Sequence, residues 1–291
     1  MNVEQPIACA VCGYAGAPSE KERVRGNIRR LREKTFEVWR CAQCRCLHCE
    51  KVEDLAGYYK QYPVREQKLD YFLRAWYGEV LKRMIKAGVK PDHQILDYGC
   101  NKGLFLDFLK EKGFRNCVGY DPFMEQFRST DVLKGRYDAV VSMDVIEHDE
   151  DPVGFLARHA ALLRSGGLLF IETPNAEGIV LDKTEEYVHA LHMPYHVHIL
   201  SQQALQELAR KQGLEEVAVY NRWYMDSPLP AASRRLFESL MMYGGNDLDL
   251  GYEPPRIDLF FKHPVLFVYL FLGYFLPPQK RDHMMMIFKY Q

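Results

Sequence analysis

The amino-acid sequence predicts an α/β protein built on a mostly parallel sheet. From residue 93 onward, short apolar runs alternate with amphipathic helical segments, which is the pattern of a parallel sheet covered by helices on both faces. The chain has 291 residues, of which 47% are hydrophobic and 26% are charged, so it can bury a full-sized core. A net charge of −1 gives no global attraction for nucleic acid or for an anionic membrane.

Two segments precede this alternation. Residues 1–50 hold six of the eight cysteines, and residues 51–90 carry apolar side chains at the three- and four-residue spacing of helices. The predicted strands that follow are 94–98, 117–121, 137–145, 168–174, 214–223 and 283–290, and the predicted helices are 103–113, 151–167 and 201–213. Asp151 and Ser201 are suited to cap the last two helices at their N-termini.

The turn after the first predicted strand is suited to bind a ligand. The strand ends near Asp97, Gly99 and Gly103 follow, and a helix begins directly, so the backbone can approach a ligand closely and offer free N–H groups. Glycines four residues apart do not fit the G-x-G-x-x-G pattern of dinucleotide sites. The chain also lacks the G-K-S/T sequence of a nucleoside-triphosphate loop.

This turn resembles the first motif of class I methyltransferases that use S-adenosylmethionine (SAM), D-x-G-x-G-x-G. Asn101 stands where the middle glycine is usual, and asparagine tolerates a positive φ better than most residues. The stretch that follows the predicted strand 137–145 is similar to the V-x-E-H-x-x-D-P sequence of the ubiquinone-biosynthesis O-methyltransferases. Its matching residues are Val145, Glu147, His148, Asp151 and Pro152.

The resemblance implies a Rossmann-like sheet of seven strands, SAM as the cofactor, and a carboxylate at Asp121 that holds the ribose hydroxyls. Only 15 residues separate Asp121 from Tyr137, so the third strand is expected to be short or missing, and Asp131 is a candidate for the adenine contact. The expected cofactor-binding residues are Asp97, Gly99, Cys100, Asn101, Gly103, Asp121, Pro122, Ser142, Met143 and Asp144.

The clustered cysteines predict a structural zinc site. Cys9 and Cys12 form one C-x-x-C pair, Cys41 and Cys44 form another, and two such pairs can place four thiolates tetrahedrally around Zn²⁺. Three further residues lie close enough in sequence to replace Cys44 as a ligand, although packing is the favoured interpretation for them. They are Cys46, His48 and Cys49. The layout resembles methyltransferases that carry an N-terminal zinc ribbon.

The predicted organisation is a zinc-ribbon-like module at 1–50, a helical linker or lid at 51–92 and a methyltransferase domain at 93–291. An insertion at 224–282 interrupts that domain before its last strand. Its longest apolar run, 265–276, has 12 residues, fewer than the roughly 20 that span a membrane. Two interpretations stay open for it: a buried helix or lid, and a lipid-facing surface that makes peripheral membrane contact through 260–276.

Histidines concentrate where an acceptor would bind. Ligands of open parallel sheets bind beyond the carboxyl ends of the strands, and both His148 and the 189–198 segment follow such ends. His148, His192 and His196 are therefore the candidate catalytic residues, whereas His198 is better explained by packing. A second metal site at these histidines stays open as an alternative, although the sequence has no carboxylate at a convincing spacing from them.

The leading functional hypothesis is SAM-dependent methylation of an oxygen or nitrogen atom on a small-molecule or lipid-like acceptor in the cytoplasm. The first alternative is an RNA methyltransferase in which the zinc module and the basic stretch 23–34 grip phosphates. The near-neutral charge makes a nucleic-acid partner the less favoured hypothesis. The second alternative is a non-catalytic scaffold with a SAM-like fold.

Overall fold

A computed structural model describes most of the chain. The described residues are 7–53, 55–59, 68–223, 226, 233–245, 247–251, 253, 256–276 and 281–291. The strands are β1 (Ile7–Ala8), β2 (Ala15–Gly16), β3 (Glu20–Arg25), β4 (Thr35–Arg40), β5 (Leu47–Cys49), β6 (Ile95–Tyr98), β7 (Cys117–Tyr120), β8 (Tyr137–Met143), β9 (Leu163–Pro174), β10 (His198–Ile199), β11 (Leu214–Arg222) and β12 (His283–Tyr290). The helices are α1 (Leu55–Tyr59), α2 (Tyr71–Lys86), α3 (Leu104–Glu111), α4 (Pro152–Ala161), α5 (Gln202–Lys211), α6 (Arg234–Tyr243), α7 (Ile257–Lys262) and α8 (Val265–Leu272).

The large sheet has six strands in the order β11-β12-β9-β8-β6-β7. The four strands β7, β6, β8 and β9 run parallel, and β12 lies antiparallel between β9 and β11. The expected third strand is missing. Residues 122–136, all described, form two short 3₁₀ turns instead, Glu125–Phe127 and Thr130–Lys134. The mostly parallel α/β architecture predicted from the sequence is confirmed.

Apolar side chains of the central strands bury both faces of this sheet. Val140 and Leu169 pack with α4 and α5 on one face, whereas Val141 and Phe170 pack with α2 and α3 on the other. Side chains of consecutive strand residues point to opposite faces, so an uninterrupted apolar run serves both layers. The carboxyl ends of β6, β7, β8 and β9 therefore meet at one edge of a rigid core.

The helix predicted at 151–167 is shorter than expected. It begins as predicted, with Pro152 in the first turn and the Asp151 carboxylate accepting from the Gly154 N–H, but it ends at Ala161. The backbone at Leu163 already pairs with Tyr137 of β8, so strand pairing replaces the last helical turn. By contrast, Ser201 caps α5 as predicted and accepts a hydrogen bond from the Ala204 N–H.

The N-terminal residues form a second, antiparallel sheet in the order β10-β5-β4-β3. Strand β10 comes from residues 198–199, far along the chain, and pairs with β5 through His198 opposite His48 and Ile199 opposite Leu47. The predicted zinc module and the predicted methyltransferase segment thus share one sheet. Nothing in the first 50 residues signals this edge strand, because strand pairing over such a distance depends on tertiary contacts.

Helices α6, α7 and α8 form the described part of the 224–282 segment. Only Leu266 of α8 is fully buried, although all eight residues of that helix are apolar. Large apolar side chains on α7, α8 and the 3₁₀ turn that follows are exposed: Ile257, Phe261, Phe267, Val268, Phe271, Leu272 and Phe275. None of the helices in the described part of the chain is long and apolar enough to cross a membrane.

Candidate active site

The glycine turn after β6 adopts a conformation that requires glycine at two positions. Gly99 and Gly103 have φ values of +81° and +79°, and Asn101 between them is also left-handed, with φ of +48°. A side chain at Gly99 would place its Cβ 2.4 Å from Cγ2 of Val145, which belongs to the loop after β8. The turn therefore lies directly against the segment that carries Glu147 and His148.

Asp121 lies beside this turn. One carboxylate oxygen accepts from the Asn101 N–H at 2.9 Å, and the other accepts from the Phe123 N–H at 2.9 Å. Each oxygen keeps a second lone pair, so the carboxylate can still accept from a vicinal diol. Asp97 is buried, and that burial together with the neighbouring Asp121 raises its pKa to about 7.

The remaining expected cofactor residues surround the same edge of the sheet. Cys100 is buried above Gly119 of β7, and Pro122 is exposed beside Asp121. Ser142 and Met143 end β8, and Asp144 follows in a left-handed conformation, with its N–H donating to the Glu172 carbonyl at 2.9 Å. Burial, with Glu172 and Glu147 nearby, raises the pKa of the Asp144 carboxyl.

Three potential metal-ligating or proton-accepting side chains meet next to this edge. Glu147, His148 and His196 each offer one atom, and these atoms lie within 4.8 Å of one another. The His196 Nε2 atom is 4.0 Å from Oε1 of Glu147. The sequence has no carboxylate at a convincing spacing from these histidines, but the fold brings Glu147, which is 49 residues away in sequence, to His196.

Hydrogen bonds fix the orientation of both imidazoles. The His148 Nδ1 atom lies 2.9 Å from the Tyr195 carbonyl, and the His196 Nδ1 atom lies 2.8 Å from the Ala190 carbonyl. Because a carbonyl oxygen only accepts, we assign the proton of each ring to Nδ1. Nε2 is then the ring atom that carries the lone pair in both residues.

The surroundings of this cluster favour neutral side chains. Burial lowers the pKa of His148 to about 4, and burial with two neighbouring histidines places the pKa of His196 well below its usual value. Burial also raises the pKa of Glu147 to about 8. The Glu147 Oε2 atom accepts from the Thr173 hydroxyl at 3.0 Å, whereas Oε1 is buried with no hydrogen-bond partner among the described residues.

His192 lies one layer behind this cluster. Its Nδ1 atom is 2.6 Å from the Asn27 side-chain oxygen, and its ring stacks on Tyr195 at 4.7 Å between centroids. The His192 ring centroid is 5.5 Å from that of His196, with the rings perpendicular. His198 points instead to the N-terminal sheet, where its Nδ1 atom is 2.9 Å from that of His48.

Helix α1 lies across the same region. The Tyr59 hydroxyl is 2.8 Å from Nδ1 of His148. The Tyr59 ring stacks on the Phe123 ring, with 5.6 Å between the ring centroids and 11° between the ring planes. Tyr59 thereby connects the loop after Asp121 with His148. Sequence patterns did not identify Tyr59 or Thr173 as site residues. Glu147 belongs to the motif that carries the family resemblance, but the sequence analysis assigned a site role only to its neighbour His148.

The four predicted zinc ligands form a compact cluster. The sulfur atoms of Cys9, Cys12, Cys41 and Cys44 lie within 4.8 Å of one another, with the Cys9–Cys44 pair at 3.6 Å and the Cys12–Cys41 pair at 3.7 Å. Thiolates about 2.3 Å from a tetrahedral zinc ion lie about 3.8 Å apart, so the spacing fits that ion. Cys46 packs elsewhere, and its sulfur accepts from the Ser201 N–H at 3.3 Å.

The basic stretch 23–34 is largely engaged within the protein. The Arg29 guanidinium contacts Asp247 at 2.8 Å and Glu253 at 2.7 Å, and Arg32 contacts the same Asp247 oxygen at 3.2 Å. These pairs tie the N-terminal sheet to the segment after α6. Because these arginines already pair with carboxylates, fewer basic side chains of the stretch are available to bind RNA phosphates than the sequence suggests.

The chain is similar in sequence to known methyltransferases. A family model described as a methyltransferase domain matches residues 66–219. The tRNA U34 carboxymethyltransferase of Idiomarina loihiensis is 33% identical over 109 residues, covering 29% of this chain and 34% of that protein. The ubiquinone biosynthesis O-methyltransferase of Bradyrhizobium sp. is 31% identical over 102 residues, covering 28% of this chain and 40% of that protein. A SAM-dependent methyltransferase structure from Archaeoglobus fulgidus matches with a TM-score of 0.46 at 18% identity, covering 76% of this chain and 100% of that one.

This chain therefore aligns with less than half the length of either curated relative. The names of these relatives indicate the acceptors of those proteins and do not identify an acceptor for this chain.

Proposed function

This chain belongs to the methyltransferase domain family, and we propose that it transfers a methyl group from SAM to an oxygen or nitrogen atom of a small-molecule or lipid-like acceptor. The observation that carries the proposal is the contact between the glycine turn and the loop after β8. Val145 of that loop packs against Gly99, and His148 follows three residues later. Cofactor and acceptor sites would then adjoin at the carboxyl ends of β6 and β8.

The residues around the glycine turn fit the parts of SAM. The Asp121 carboxylate would accept from the ribose hydroxyls, and the turn 99–103 with Asp97 would hold the methionine part. When bound, SAM supplies a methyl group already activated by its sulfonium. The protein's task is then to align the acceptor and to remove its proton.

His148 is the residue best placed to take that proton. Its Nδ1–H is held by the Tyr195 carbonyl, so Nε2 is free to accept, and its lowered pKa keeps the ring neutral at pH 7. His196 and Glu147 lie beside it and supply further polar atoms. The rings of Tyr59 and Phe123 stack on each other nearby, and this aromatic pair favours an acceptor with an apolar or ring-shaped body.

Replacing Asp121 with alanine is expected to weaken SAM binding about 100-fold. Hydrogen bonds to a charged group contribute about 1.5–3 kcal/mol each, and the variant loses those to the ribose together with the two backbone N–H contacts that shape the turn. Titration calorimetry with SAM measures the effect. Asp107→Ala, an exposed carboxylate on α3 beside Lys110, is the matched control and should bind normally. Unchanged affinity in Asp121→Ala would remove Asp121 from the site.

A labelled-methyl assay tests the acceptor class. The protein is incubated with methyl-labelled SAM and either total RNA or the small-molecule and lipid fraction of a cell extract. We expect label in the second fraction only, because Arg29 and Arg32 are already paired with carboxylates. Label in RNA, or RNA binding that weakens steeply with salt, would favour the alternative that the tRNA-modifying relatives suggest.

The exposed apolar surface of α7 and α8 supports a peripheral membrane contact, which would bring a lipid-like acceptor within reach. Phe271 is 67% exposed, so we expect Phe271→Asp to reduce cosedimentation with phosphatidylcholine vesicles. Val217→Asp, at an exposed position of β11, is the matched control. Equal sedimentation of the wild type with and without vesicles would argue against the contact. Cysteines that bind zinc as thiolates and form no disulfide suit a reducing compartment such as the cytoplasm.

A further inference from the structure

We propose that His48 couples the cysteine cluster to the segment beside the proposed active site, because its Nε2–H donates to the Cys9 sulfur and its Nδ1 accepts from His198. His48 is then a positioning residue, neither a zinc ligand nor a side chain that only fills space. The contact with Cys9 rests on the zinc site that the cysteine spacing fits. The effect on the active site rests also on the proposed methyl transfer.

The imidazole of His48 lies between these two partners. Its Nε2 atom is 3.2 Å from the Cys9 sulfur, and its Nδ1 atom is 2.9 Å from Nδ1 of His198. The side chain is buried, and its ring stacks on Trp39 with 4.2 Å between the ring centroids. Each nitrogen therefore faces one partner, and the stacking fixes the plane of the ring.

The tautomer of His48 follows from its partners. A cysteine that binds zinc is a thiolate, which accepts a hydrogen bond but has no proton to donate. Burial, with His198 nearby, lowers the pKa of His48 to about 3, so the ring is neutral and carries one proton. That proton lies on Nε2, where it faces Cys9. Nδ1 then accepts from the Nδ1–H of His198.

The hydrogen bond from His48 stabilises the cysteine cluster without adding a ligand. Cys9, Cys12, Cys41 and Cys44 already supply the four positions of a tetrahedral zinc ion. A hydrogen bond from a buried imidazole to one thiolate is charge-assisted and withdraws negative charge from that sulfur. Groups that contact metal ligands in this way orient them and contribute to metal affinity.

The hydrogen bond from His198 reinforces a very short strand pairing. Strand β10 has two residues, and His198 stands directly opposite His48 of β5. One further backbone bond extends the pairing, from the Cys49 N–H to the Val197 carbonyl at 3.0 Å. So few backbone bonds leave a large share of the attachment to the contact between the two imidazoles.

The segment that β10 ends also holds the histidine proposed to take the acceptor's proton. The Tyr195 carbonyl lies 2.9 Å from Nδ1 of His148, and the Val197 N–H donates to the Glu147 carbonyl at 2.8 Å. A shift of residues 195–198 would therefore turn the His148 ring and move the loop after β8. His48 connects this segment to the cysteine cluster.

Nuclear magnetic resonance tests the predicted tautomers directly. Long-range ¹H–¹⁵N correlation spectra of the zinc-loaded protein show which ring nitrogen of each histidine carries the proton. We expect the proton of His48 on Nε2 and that of His198 on Nδ1. A His48 proton on Nδ1 would overturn the proposal, because Nε2 would then bind the metal or accept from a thiol.

Two substitutions separate the two contacts of His48. His48→Asn keeps an oxygen where Nδ1 lies and loses the donor to Cys9, whereas His48→Gln keeps an N–H near the position of Nε2 and loses the acceptor for His198. Co²⁺ in the cysteine cluster gives a strong near-ultraviolet band in which charge moves from thiolate to metal. Loss of a hydrogen bond raises the energy of the sulfur lone pair. The band should therefore move to longer wavelength in His48→Asn and stay in place in His48→Gln, and an unmoved band in His48→Asn would overturn the contact with Cys9.

The kinetics of the same variants test the effect on the active site. His48→Gln should lower kcat/KM for the acceptor about 3- to 10-fold, as expected for one lost hydrogen bond, with unchanged affinity for SAM. His48→Asn should stay closer to the wild type, whereas a ring that only fills space would make the two variants equally impaired and would overturn the coupling. Wild-type kcat/KM in His48→Gln would also overturn it. A wild type without methyl transfer would contradict the proposed function and the coupling together, while the spectra still decide the contact with Cys9.

Discussion

His148→Ala is expected to lower kcat for methyl transfer by about 10²- to 10⁴-fold, the range over which a positioned proton acceptor contributes. The residue lies in the short turn after β8, the Tyr195 carbonyl fixes its ring orientation, and the Tyr59 hydroxyl contacts its Nδ1 atom. The affinity for SAM should change little. Among the described hydrogen bonds and ring contacts of His148, none is with a residue of the glycine turn. The measurement is kcat with the acceptor fraction identified by the labelled-methyl assay, alongside SAM titration.

His263→Ala is the matched control for this substitution. That imidazole stacks on Tyr243 at 3.9 Å in the C-terminal segment, so its loss removes a histidine without affecting the cluster. Full activity in His263→Ala with a large loss in His148→Ala assigns the effect to the site. A His148→Ala enzyme with wild-type kcat would exclude the proton-accepting role of this residue.

The proposed zinc site predicts that Cys12→Ser loses zinc and that the free energy of unfolding falls by more than about 4 kcal/mol, because the loss of a structural metal is among the most destabilising changes a single substitution can cause. Cys12 is only half-buried, so the exchange of sulfur for oxygen adds little packing cost of its own. Metal analysis and thermal unfolding measure the two effects.

Cys49→Ser separates metal binding from packing. Cys49 is buried in the core of the N-terminal sheet, so the variant should keep its zinc and lose less stability than Cys12→Ser. Full zinc occupancy in Cys12→Ser would instead show that another residue completes the site. Loss of zinc should also lower methyl transfer, because β5 pairs with β10 and the Cys49 N–H holds the Val197 carbonyl beside His196.

Local features of the site could be predicted from the sequence because short-range geometry dictates them. The turn requires left-handed φ values at positions 99 and 103, and glycine is the residue that adopts them most easily. The two glycines are therefore visible in the sequence between a predicted strand and a predicted helix. The caps at Asp151 and Ser201 follow from side-chain chemistry within three residues. The sequence also predicts a short or missing third strand, because 15 residues are too few for a helix and a full strand, and the structure has none in this segment.

Features that depend on distant contacts could not be predicted in this way. Glu147 and His196 meet only after the 189–198 segment folds back over the sheet edge, and Tyr59 reaches His148 from a helix 89 residues earlier. The addition of β10 to the N-terminal sheet has the same cause. The end of α4 was misplaced because pairing of Leu163 with Tyr137 outweighed the local helical pattern.

A crystal structure of the protein with S-adenosylhomocysteine would test the central claim most directly. We expect the nucleoside across the turn 99–103, with its ribose hydroxyls on the Asp121 carboxylate and its sulfur facing His148. Electron density for S-adenosylhomocysteine at another place would contradict this account of the site. So would the absence of binding at millimolar S-adenosylhomocysteine.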